Sequence, residues 1–162
     1  FGTFIRKTGE TVIVFPSRDK GAVVSFINAL HKAIGKTPNA DVTVMGVKEW
    51  GGYDDIAGYY KTRYKMTWAT SSDLNYSLPD TQALLRLYRK KYRADMNKAG
   101  AHGFDVVYYF TRTLLMQEEV PTEVVNAFDL KPSAAGSGYE NQSCFILKHE
   151  DYQLIRVGVF HE

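Results

Sequence analysis

A chain of 162 residues with 44% hydrophobic content is long enough for one domain with a buried core and too short for two large ones. Twenty basic residues against eighteen acidic ones leave a formal charge of +2, too weak a field to point to DNA, RNA or an anionic membrane. A single cysteine, Cys144, excludes an internal disulfide and a cysteine-based zinc site, and no apolar stretch approaches the length of a membrane span.

The chain opens at Phe1 without a methionine or a charged-then-apolar leader, so it reads as a mature product or a piece of a longer protein. Thr11 to Phe15 (TVIVF) and Val42 to Gly46 (VTVMG) are short apolar runs separated by one amphipathic stretch. Unbroken apolar character suits strands covered by helices on both faces, so the pattern predicts a βαβ unit in a parallel sheet. Between them, Asp19 is placed to cap a helix whose buried stripe is Val23, Ile27, Leu30 and Ile34, ending at Gly35. Lys65 to Ala69 (KMTWA) is read as a third strand.

Ser77 and Pro79 announce a helix to about Met96, with Leu84, Leu87, Tyr88 and Tyr92 expected to face the core. Arg86, Arg89, Lys90 and Arg93 fall on the opposite side. The run RLYRKKYR interleaves bases and aromatics, but single-strand binding needs both on one surface, and the projection separates them. Phe104 to Gln117 is apolar almost all round and is expected to be a well-buried helix, with a short helix from Pro121 to Phe128. After the Gly/Ser-rich stretch 131–138, Ser143 to Lys148 and Gln153 to Val159 read as a closing hairpin around residues 149–152.

The chemistry of the chain is sparse. Neither GxxxxGK[ST] nor GxGxxG follows a strand, the four histidines are scattered, and no GxSxG elbow exists, so neither a cofactor, a metal nor a catalytic group is expected. In open α/β sheets ligands gather beyond the carboxyl ends of the strands, which directs attention to residues 16–20 and 47–54. Glu49 follows a buried strand directly and suits either a ligand ammonium or hydroxyl, or the capping of the next segment.

Taken in order, TVIVFPS, VVSFINAL, VTVMGVKEW, LYRKKYR, GFDVVYYF and the closing YENQSCFILKHEDYQLIRV resemble the type I periplasmic binding proteins. Within that family the likeness is to the branched-chain amino-acid receptor-like group, and especially to substrate-binding-like regions of Bacteroidetes envelope proteins that often follow LysM repeats. The resemblance implies an α/β fold, three-layer and flavodoxin-like, with a mostly parallel sheet, flanking helices and a C-terminal β-hairpin. It also implies that residues 1–162 form one α/β domain, about half of a two-lobe protein.

In amino-acid-binding relatives the loop after the first strand contacts ligand, which implicates Ser17 and Arg18 with the adjoining Asp19. The acid that holds the ligand ammonium matches Glu49 with one extra residue before it, and Trp50 replaces a small residue, where it stacks on a ligand or plugs the pocket. The resemblance therefore implies a non-catalytic module of the periplasm or cell envelope. Its partner is a small molecule or a cell-wall component, with no nucleic acid, no membrane insertion and a homodimer as one arrangement. An interaction or scaffold domain that has lost small-ligand binding is the alternative.

Overall fold

In the computed structural model, the described residues are Ile5, 9–35, 39–116, 125–133, 136 and 138–161. They fall into two compact units, Phe1–Thr70 with Ile146–Gly158, and Ser71–Phe145 with Val159–Glu162.

The first unit is built on the βαβ pattern. Strand β1 (Glu10–Val14) leads into helix α1 (Lys20–Ile34), β2 (Asp41–Met45), a 3₁₀ turn (Lys48–Gly52), the short helix α2 (Gly58–Arg63) and β3 (Thr67–Thr70). β1 pairs in parallel with β2, from Glu10 opposite Asp41 to Val14 opposite Met45, and β2 pairs in parallel with β3. With β6 (Ser143–Glu150) and β7 (Gln153–His161) the sheet has five strands in the order β1-β2-β3-β6-β7. The fold is thus α/β, with a mostly parallel sheet, flanking helices and a C-terminal hairpin.

The expected stripe of α1 is realised: Val23, Ile27, Leu30 and Ile34 are buried together with Phe26, and Gly35 closes the helix. Val42, Thr43 and Val44 are all buried, so successive side chains are covered on both faces of β2, as its apolar run predicts. β1 differs. Val12 and Val14 are 51% and 67% exposed: β1 lies at the end of the described strand order, and among the described residues one of its faces carries no cover. The closing hairpin turns through Asp151 and Tyr152, both with positive φ, as a two-residue turn between antiparallel strands requires.

In the second unit, α3 (Pro79–Tyr92) ends at Arg93 in the left-handed conformation, and α4 (Lys98–Phe110) begins at Asn97, whose side chain accepts the Gly100 N–H. That cap draws the small residues Ala99 to Gly103 into the helix. Leu74, Met96, Ala101 and Val125 form the core, with Leu84, Leu85 and Tyr88 against it.

Two expectations are corrected here. Leu87 and Tyr92 are exposed rather than turned inward, and α4 is not well buried, with Val107 67% exposed. A π-helical turn, Thr111–Met116, extends α4 and carries Leu114 and Leu115 outward. Residues 117–124, which hold the first half of the short helix expected from Pro121 to Phe128, lie outside the described residues, and Asn126 instead forms a bridge with Ser72. The Gly/Ser-rich stretch lies between β4 (Leu130–Pro132) and β5 (Tyr139–Asn141), an antiparallel pair, with Gly136 and Gly138 at positive φ.

Candidate functional site

The carboxyl ends of β1 and β2 deliver residues 15–20 and 46–55 to one edge of the first unit. The parallel register sets Val14 beside Met45, and Phe15 N–H donates to the Met45 carbonyl at 2.9 Å. From there the two loops are tied together by side chains of the second. Trp50 Nε1–H donates to the Ser17 carbonyl at 2.8 Å, and the Tyr53 hydroxyl donates to the Arg18 carbonyl at 2.6 Å. Arg18 Nε lies 3.4 Å from Glu49 Oε1, and Lys20 pairs with Asp55. The carboxylate beside it holds the Lys20 ammonium above its usual range.

Each residue singled out in the sequence has a definite place. Asp19 is the N-cap of α1, its carboxylate accepting the Ala22 N–H at 2.7 Å, so the positive end of that helix is occupied from within the chain. Ser17 Oγ accepts the Asp19 N–H at 3.2 Å and holds the turn into the helix. Arg18 and Glu49 converge on each other. The arginine side chain is 78% exposed and the glutamate 33%, which leaves both charges within reach of solvent.

Trp50 is fully buried. Its ring sits near Phe15, which stacks on Phe26 with centroids 4.4 Å apart, so the edge is closed by aromatic packing from α1 across to the 3₁₀ turn. Gly46 makes this possible. A Cβ at that position would stand 2.5 Å from the Trp50 ring, closer than carbon atoms approach without displacement. Tyr53, Lys20 and Gly46 were not singled out in the sequence. The glycine that ends the VTVMG run was the available signal, since a strand-end glycine marks a close approach of another group.

A second cluster lies where α1 meets α2. His31 Nδ1 and the Tyr64 hydroxyl are 2.7 Å apart, with the Tyr59 and Tyr60 rings packed on the imidazole. Tyr64 is fully buried, and desolvation pushes its phenol up to about 12. His149, half-buried against Trp68, is lowered first by burial and then by Lys61. Among the described residues no group of three or more metal-ligating side chains converges, and no helix is long and apolar enough to cross a membrane.

No family model matches the chain, and no curated protein matches it. Among solved structures the fold is similar to that of a leucine-binding protein from Thermotoga maritima, with 10% identity and a TM-score of 0.47. The likeness covers 94% of this chain and 44% of that protein, so the chain spans less than half of the neighbour's length.

Proposed function

We propose that the chain is a non-catalytic ligand-binding module of the type I periplasmic-binding kind, taking an amino acid or a similar zwitterion at the carboxyl ends of β1 and β2. The observation that carries this reading is the Arg18–Glu49 pair, two opposite and solvent-accessible charges 3.4 Å apart at a strand edge. A zwitterionic ligand offers the same two charges in reverse order. It can replace the internal pair with two pairs, one from its carboxylate to Arg18 and one from its ammonium to Glu49. Ser17, Asp19 and Trp50 act as supports, holding the loop, the helix start and the floor.

In this reading the chain is one wall of a two-lobe cleft in a periplasmic or envelope-associated protein, of the sort that accompanies LysM repeats. Capture between lobes would select a closed state, so one wall alone binds weakly.

The test is a titration of the 15N-labelled chain with free amino acids up to about 10 mM, well above the millimolar dissociation constants expected of a few exposed polar contacts. Weak, saturable shifts confined to residues 15–20 and 47–54, lost in Arg18→Ala, are expected. No shift over that range overturns the reading, and tight calorimetric binding overturns the one-wall part of it.

Trp50 favours a second reading. Its fully buried ring is packed near Phe15 and tied to the Ser17 carbonyl, which suits an interaction or scaffold domain at the peptidoglycan or outer membrane that has lost small-ligand binding. Amide shifts on adding solubilised peptidoglycan, with none on adding amino acids, would select it.

A further inference from the structure

The second unit holds an open groove of about 720 Å³ between α3 and α4. Leu84, Leu87 and Tyr92 of α3 face Phe104 and Val107 of α4 across it. Leu87, Tyr92 and Val107 are 65%, 56% and 67% exposed. Isolated apolar residues are ordinary on a surface, but a contiguous set lining one depression marks an interaction site.

Shape narrows the class of partner. The depression is a trough flanked by helices, and the stretch of α3 from Leu84 to Tyr92 makes its wall about 13 Å long at 1.5 Å per residue. A trough of that form admits a rod that lays one apolar stripe into it, as amphipathic helices do in hydrophobic grooves, whereas a lipid surface is flat and cannot enter.

Charge narrows it further. Residues 79–116 hold seven lysines and arginines against three aspartates, an excess of four where the whole chain has an excess of two. The remainder of the chain is therefore net acidic, and the basic character belongs to this hairpin. Two of the three acids are already engaged: Asp105 is buried under the backbone of residues 125–126, and Asp95 pairs with Arg89. Among the described residues, Lys91 is the one charged residue lining the groove, and Arg86 and Lys90 are exposed on the same helix. A second copy would bring this positive rim against itself, at an electrostatic cost.

We propose that the α3–α4 groove receives two to three turns of an amphipathic helix from a partner protein, apolar at i, i+3, i+4 and i+7 and acidic along its flanks. The site is separate from the strand-edge loops and does not depend on what they bind.

The probe is a fluorescein-labelled 16-residue synthetic peptide with leucines at that spacing and glutamates on the flanks, followed by anisotropy on the full chain. One control replaces every glutamate by lysine, and another scrambles the leucines. The acidic peptide is expected to bind saturably, about tenfold tighter than the lysine peptide, with the preference fading at 0.5 M salt. Val107→Glu, at an exposed position that leaves the core intact, is expected to abolish binding with an unchanged circular dichroism spectrum. Lys91→Glu is expected to lower affinity for the acidic peptide and raise it for the lysine peptide.

Equal binding of acidic and scrambled peptides, or full binding by Val107→Glu, overturns the proposal. So does a chain that light scattering finds dimeric and that Val107→Glu makes monomeric, or one that binds phosphatidylglycerol vesicles through the same residue.

Discussion

Gly46 has no room for a side chain. The Trp50 ring occupies the place where a Cβ would go, and Trp50 is held from its other end by the Ser17 carbonyl. Gly46→Ala therefore forces either the ring or the strand end to move, and overpacking of this kind costs about 1–3 kcal/mol. The expected result is a lower denaturation midpoint with a red-shifted tryptophan emission. Unchanged stability and emission would show that the ring has slack the geometry denies.

Tyr64 gives a pH-dependent counterpart. Its phenol is raised to about 12 in the folded chain by desolvation, so the folded state holds that proton more firmly than the unfolded state does. The resulting stability is complete below the ordinary tyrosine value near 10 and is lost as pH rises towards 12. Absorbance at 295 nm should show a tyrosine ionisation step near pH 12, and Tyr64→Phe should remove that step. A wild-type titration with no late step would place Tyr64 in contact with water.

At the scale of elements, what was legible in the sequence depended on where each element's partner lies. The period of Val23, Ile27, Leu30 and Ile34 identified the buried face of α1, because the strands it covers are its neighbours in the chain. Asp19 as its cap was legible for the same local reason. Asp19→Ala should cost about 1 kcal/mol and lower helicity, with Asp19→Asn retaining most of both. An equal loss from both substitutions would mean that the carboxylate's charge, and not its hydrogen bond, matters.

Position in a sheet is different, because it is not written in a strand's own residues. TVIVF and VTVMG have the same apolar character, yet Val42 and Val44 are buried while Val12 and Val14 are exposed. The same limit misread α3 and α4. Periodicity located their apolar stripes, but Leu87, Tyr92 and Val107 line an open groove instead of a core. In the site, Ser17, Arg18, Asp19, Glu49 and Trp50 were legible as a neighbourhood from the rule about strand ends. That Arg18 and Glu49 pair with each other, and that Tyr53 joins the two loops, needed the register of β1 on β2.

For the molecule as a whole, each of the two units has a core that can be probed by itself. Both tryptophans, Trp50 and Trp68, belong to the first unit, so tryptophan fluorescence follows that unit, whereas far-UV circular dichroism follows the helices of both. The second unit is fixed by Asp105. This buried carboxylate on α4 accepts the Val125 N–H at 2.6 Å, the Asn126 N–H at 2.8 Å and the Asn126 side-chain amide at 3.2 Å. The Asn126 side chain in turn meets His102 Nδ1 at 2.7 Å. Asp105→Ala leaves two buried backbone donors without their acceptor, at a cost of about 1–3 kcal/mol for each unsatisfied group. The helical signal at 222 nm should therefore melt at lower denaturant in this variant, while the tryptophan transition keeps its wild-type midpoint. Loss of protection at the Val125 and Asn126 amides in hydrogen exchange should accompany it. If both signals shift together by the same amount, the chain unfolds as one cooperative block, and Asp105 stabilises the strand-edge loops as much as the helices that carry it.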